Sequence, residues 1–164
     1  MKLIHTIPIL IATACLALTG CDKKVDEKAA IATFKTDVEN FGKWAEENSK
    51  NASSDPLSGI TMMGELGGKF KSIKTDGLPA DLKAAWNEMG GVMGEMGDLF
   101  KGLKIPKPAK PEDTQKILAD LGPKMVELGP KMQEITKRGD VIMKKLKEIG
   151  TKYGLDMSKV GPAK

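Results

Sequence analysis

Apolar residues recur every three or four positions along most of this chain and hardly ever alternate. Ile31, Phe34, Val38, Phe41 and Ala45 follow a 3-4-3-4 spacing, one face of a helix over about 26–49. Asp37, Glu39, Lys43, Glu46 and Glu47 mark its wet side. Asn48 to Ser54 is small and polar and reads as a loop. A second helix opens at Asp55-Pro56, where Asp55 or Ser54 can cap and proline suits the first turn. Its seam is Ile60, Met63, Leu66 or Gly67, Phe70 and Ile73, and Gly77 closes it. Pro79 starts a third helix, whose Leu82, Trp86, Met89, Met93, Met96, Phe100 and Leu103 keep an unbroken heptad seam. Leu78, Ala85, Val92 and Leu99 widen that stripe, as a core helix requires.

Residues 104–111 carry three prolines and three lysines and read as an extended connector. Beyond it, from about Glu112 to Tyr153, Leu118, Leu121, Met125, Leu128, Met132, Ile135, Ile142, Leu146, Ile149 and Tyr153 share one heptad register. Inside it, Leu121-Gly-Pro-Lys-Met125 recurs as Leu128-Gly-Pro-Lys-Met132. Proline within a helix removes a hydrogen bond and weakens it by about 3 kcal/mol. The seam nevertheless stays in phase across both prolines, and Pro123 and Pro130 fall opposite it. That favours one long, curved helix, convex on the proline side, over shorter broken helices. Gly154 caps its end, and residues 155–164 add at most a loose turn. The pattern predicts an all-α fold: an antiparallel bundle of about four helices, coiled-coil-like in packing, with a long C-terminal helix.

The first twenty residues differ from the rest. Lys2 is followed by an apolar run from Ile7 to Leu18, of secretory-signal length and too short to span a bilayer. It ends in Leu18-Thr19-Gly20-Cys21, which resembles the lipobox of bacterial lipoproteins. The resemblance implies cleavage between Gly20 and Cys21 and fatty-acyl chains, palmitate among them, on Cys21. It covers the signal segment alone and implies a lipid anchor in a membrane of the cell envelope, on the periplasmic side in a Gram-negative cell. Asp22 resembles the inner-membrane retention signal of enterobacterial lipoproteins, although Lys23 follows it. The expected organisation is a signal peptide at 1–20, a lipidated N-terminus and tether at 21–28, and one helical domain at 29–164.

Loss of residues 1–20 would remove Lys2, His5 and Cys15, leaving a net charge of about +3 and no histidine. With Cys21 lipidated, no free thiol remains. Histidine- or cysteine-dependent catalysis, His-ligated zinc, c-type haem attachment and an intrachain disulfide are then excluded. No cofactor and no metal are expected. The charge is mild and aromatics are not interleaved with it, so nucleic acid is not an expected partner.

Four features invite a functional reading. Gly90, Gly94 and Gly97 line one face of the third helix, and Gly64 and Gly68 stand four apart in the second. Such a face admits another backbone, either of a partner or of the neighbouring helix in the same bundle. Met89, Met93 and Met96 share a face, which suits core packing better than a partner groove or Cu(I). Trp86 sits on the seam, whereas Trp44 lies beside one and is a candidate interface anchor. Lysines at 104, 107, 110, 144, 145 and 147 can lie near anionic headgroups, though solvated charge is their commoner meaning. The candidate interaction face is therefore Trp44, Gly90, Gly94 and Gly97. The expected function is a lipid-anchored, non-enzymatic envelope protein with a structural or protein-interaction role and a protein partner. The alternative is a small-ligand-binding lipoprotein with a Met-lined cavity.

Overall fold

A computed structural model describes residues 26–106, 108 and 110–160, and only the backbone of Ser54, Pro111 and Lys159. Gly20, Cys21 and the signal segment lie outside the described residues. Four helices follow in order: α1 (Glu27–Ser54), α2 (Pro56–Lys71), α3 (Ala80–Lys101) and α4 (Pro111–Lys152), then a 3-10 turn at Met157–Val160. The described residues contain no strand. Each helix packs on the next, and the 3-10 turn touches both α1 and α4. The fold is an all-α, antiparallel helical bundle.

The chain turns differently from expectation at two places. Residues 48–54 are the last two turns of α1. The Asn48 Nδ2 donates to the Trp44 carbonyl at 2.8 Å and Ser53 Oγ to the Ser49 carbonyl at 3.0 Å. Small polar side chains that favour turns here bond back onto the helix instead. Asp55 then ends α1 and begins α2: its backbone N–H donates to the Asn51 carbonyl, and its carboxylate accepts from Leu57 N. At its other end α2 stops at Lys71, six residues before Gly77. Ser72 closes it by donating its backbone N–H to the Gly68 carbonyl and its hydroxyl to the Lys69 carbonyl. Gly77, at φ 78°, turns the loop that follows. Helix α1 also begins inside the expected tether, because Asp26 caps it by accepting from Lys28 N and Ala29 N.

The core is centred on α3. Leu82, Ala85 and Met89 are fully buried. The Trp86 indole stacks on Phe70 of α2 with centroids 4.0 Å apart, and Phe34 of α1 meets it edge-on at 4.8 Å. Phe41 in turn meets Phe70 edge-on at 5.5 Å. Offset and T-shaped pairs of this kind add about 0.5–1.5 kcal/mol each beyond their buried area. This cluster ties three helices together with four aromatic rings.

The end of the chain is part of that core. Leu155, Met157 and Val160 are all buried, which corrects the expectation of a loose turn. The reversal is built by glycine. Gly154 takes φ 68°, Leu155 N donates to the Gly150 carbonyl at 2.9 Å, and Gly154 N donates to the Thr151 carbonyl at 3.2 Å. This paired bonding closes a helix at a left-handed residue. Gly150 leaves room for the returning chain: a Cβ there would press on the Met157 side chain, which would have to shift.

α4 is a single helix of 42 residues with Pro123 and Pro130 inside it and exposed. At 1.5 Å per residue it spans about 63 Å, against about 33 Å for the 22 residues of α3.

Candidate functional site

The register of α3 against α4 is written in charge. Arg138 grips Glu95 through both guanidinium nitrogens, at 2.7 and 2.8 Å. Lys145 reaches Glu88 at 3.1 Å and Lys152 reaches Asp81 at 2.9 Å. The partners step by seven along each helix, in opposite directions. Arg138 holds the Glu95 carboxyl below its ordinary range. Lys152, with Tyr153, draws Asp81 down to about 2. These pairs are half-exposed, so their value lies in fixing register more than in stability.

Continuing that register, Lys131 falls opposite Gly102, just past the end of α3, and Lys124 lies one heptad farther on. Residues 111–131 of α4 therefore project beyond α3 as an arm roughly 30 Å long. The chain from Lys101 to Pro111 needs about the same length when extended. Lys104, at φ 47°, turns it out of α3.

Along the arm Ile117 and Leu121 are buried, Met125, Leu128 and Met132 are half-buried beside the core, and Val126 is 77% exposed. Met125, Gly129 and Met132, with Gln133, Thr136 and Lys137, line an open trough of about 510 Å³. Nothing lies within 4 Å of where a Cβ on Gly122 or Gly129 would stand. All six lining residues belong to α4. The trough is thus lined by α4 alone, at the root of the arm.

A second concavity, of about 320 Å³, lies between α1 and the end of α2. Trp44 forms one wall, tilted on Phe41 at 5.8 Å, and Lys69 Nζ stands 5.7 Å from its ring. Trp44 is half-buried beside the seam.

The other sequence candidates are placed elsewhere. Gly90, Gly94 and Gly97 are buried, and their face is turned inward. A Cβ on Gly97 would stand 3.2 Å from the Gly64 carbonyl oxygen, and one on Gly67 would stand 2.8 Å from the Gly94 Cα. Gly90 looks onto Phe70, and the Lys71 side chain lies over Gly94. These glycines let α2 and α3 approach backbone to backbone, so they are not an exposed interaction face. Met89 and Met96 are likewise core residues, with Met93 half-buried beside them. Met125 and Met132, by contrast, line the open trough on α4.

The seven-residue spacing of Lys124, Lys131, Arg138, Lys145 and Lys152 is visible in the sequence. It acquires meaning only once α3 answers three of the five. Among the described residues no cluster of His, Cys, Asp or Glu is gathered to hold a metal ion. No described helix is long and apolar enough to cross a membrane. Searches of protein-family models, curated proteins and solved structures find no match to this chain.

Proposed function

We propose that this is a lipid-anchored, non-enzymatic protein of the bacterial envelope that carries a helical arm away from the membrane to a protein partner. The observation that carries the reading is the position of the arm. Helix α1 begins at the end of the bundle where the 3-10 turn and the last turns of α4 lie: Lys35, Val38 and Glu39 line one cleft with Leu155, Asp156 and Met157. The arm leaves from the opposite end. Lipid on Cys21, five residues before the Asp26 cap, would hold the first end at the bilayer. The arm would then point away from it, beyond the length of the bundle. Two or more acyl chains give an anchor that one chain does not.

The half-buried methionines of the trough, with Gly129 between them, suit a helix-binding face, since thioethers adapt to varied partners.

The test has two parts. The N-terminal peptide of protein purified from membranes should begin at Cys21 and carry acyl mass, and Cys21→Ala should leave an uncleaved, unlipidated precursor. A photo-crosslinking residue at Val126, in living cells, should give a specific adduct that the same residue at Thr33, an exposed site on α1 near the membrane end, does not. Normal processing of Cys21→Ala would sink the anchor. Equal labelling from both sites would sink the arm.

A further inference from the structure

We infer that the arm docks an amphipathic partner helix bearing acidic residues at seven-residue spacing, alongside Met125, Leu128 and Met132. The inference rests on the proposed role of the arm and adds the chemistry of what it binds.

α3 leaves two cations of α4 without a carboxylate of its own. Arg138, Lys145 and Lys152 occupy one heptad position of α4, and each meets a carboxylate of α3 at 3.1 Å or less. Lys131 and Lys124 occupy the same position one and two heptads nearer the arm's tip. Both are exposed, and α3 ends before it reaches them. Asp120 and Glu127 stand four residues before these lysines. That does not use them up: Glu134 and Glu148 stand four residues before Arg138 and Lys152, which pair across to α3 all the same. The local unit is the same in all four places, and what differs is the presence of an acidic neighbour helix.

The apolar seam runs on with the cations. Met125, Leu128 and Met132 continue the stripe that Ile135, Ile142 and Leu146 bury in the bundle. On the side away from the lysines, Gly122, Gly129 and Thr136 are small and let a partner backbone come close. A helix laid on this stripe would have small residues on one flank and a row of cations on the other. α3 itself shows the complement that such a row selects: Asp81, Glu88 and Glu95.

A second copy of α4 is the wrong partner. Antiparallel packing of two arms would set Lys124 near Lys131 of the other arm, like against like. Parallel packing would set the lysines against Gly129 and Thr136, which carry no charge. Neither arrangement answers the cations.

The test uses full-length protein purified from membranes in detergent and two labelled helical peptides with the same leucine seam. One carries glutamate at its flanking heptad positions and the other lysine. The glutamate peptide should bind at least about tenfold more tightly, and Lys124→Glu with Lys131→Glu should reverse the preference by a similar factor. Both lysines are exposed, so circular dichroism of the double variant should match the parent. A truncation of the lysines, Lys124→Ala with Lys131→Ala, should abolish the preference without reversing it. Equal binding of both peptides, no binding of either, or a preference that survives the double reversal would overturn the inference. Cellular crosslinking from Val126 separates the two levels. An adduct whose partner segment is not acidic would leave the arm's role standing and remove this chemistry. An adduct with a second copy of the chain would remove it as well.

Discussion

Asp81 in the first turn of α3 holds Lys152 in the last turn of α4 at 2.9 Å, and the same carboxylate accepts the Tyr153 hydroxyl at 2.8 Å. The first turn of one helix is thereby pinned to the last turn of its antiparallel neighbour, beside the C-terminal reversal. Hydrogen bonds from Lys152 and then Tyr153 draw the Asp81 carboxyl from 3.8 to about 2. A depressed folded value means that the unfolded chain takes up the proton first as pH falls. The stability from this contact is therefore complete above the unfolded value and lost as pH falls through about 2. Asp81→Asn should be less stable than the parent at neutral pH and should converge with it near the acid limit. Urea unfolding across that range checks this, and carboxyl NMR should place the Asp81 midpoint near 2. A parallel offset at every pH would show that the pair does not titrate as described.

The close approach of α2 and α3 makes a sharp contrast between glycines. A Cβ on Gly67 would stand 2.7 Å from the Met93 carbonyl oxygen, and backbone cannot step aside as a side chain can. Gly67→Ala should therefore destabilise by about 1–3 kcal/mol, as overpacking does. Gly68→Ala and Gly91→Ala meet nothing within 4 Å. There alanine only restores helix propensity, and each should stabilise by up to about 1 kcal/mol. Denaturant midpoints of the three variants decide the matter. A neutral Gly67→Ala would mean that the helices part without penalty.

Much of this bundle was legible in the sequence, because helix periodicity is a local signal. The α3 seam, the Asp55-Pro56 start of α2 and the phase of α4 across its two prolines all stand where the pattern put them. Boundaries failed where a residue's local preference was overruled. Asn48 and Ser53 favour turns in isolation but find helix carbonyls behind them. The C-terminal hook was invisible for a different reason. Leu155, Met157 and Val160 have no periodic neighbours, and only the gap between α1 and α4 makes them core. The glycine face was legible as a face, but its occupant depended on which helix lay nearest. The two arm lysines that no α3 carboxylate meets were legible only as residues, since that is a relation to the end of α3.

The hook gives a third prediction. Met157 is 2% exposed and packs against Gly150 in the last turn of α4. Met157→Ala should lose about 2–5 kcal/mol, the range for a buried methionine. Ending the chain after Gly154 should lose more, because Leu155 and Val160 leave the core with it. Thermal unfolding checks both. If truncation leaves the midpoint unchanged, the segment decorates the bundle and does not close it.

The prolines of the arm give the last. Pro123 and Pro130 offer no N–H to the carbonyls of Ala119 and Val126, four residues before them. Both of those residues are exposed, so water can take the place of the missing bonds. Asp120 before Lys124 and Glu127 before Lys131 are acid-to-base spacings of four, each worth about 0.2–0.5 kcal/mol to a helix. The buried Ile117 and Leu121 add packing. These contributions act against two prolines, each about 3 kcal/mol less favourable than alanine in a helix interior. Pro123→Ala with Pro130→Ala should then keep or raise the helix content and slow hydrogen exchange across the arm. Binding of the acidic peptide should change less than it does on reversing Lys124 and Lys131, because the prolines lie on the face opposite the seam. A clear loss of helix would mean that the prolines shape the arm, and that its continuity across residues 121–132 depends on them.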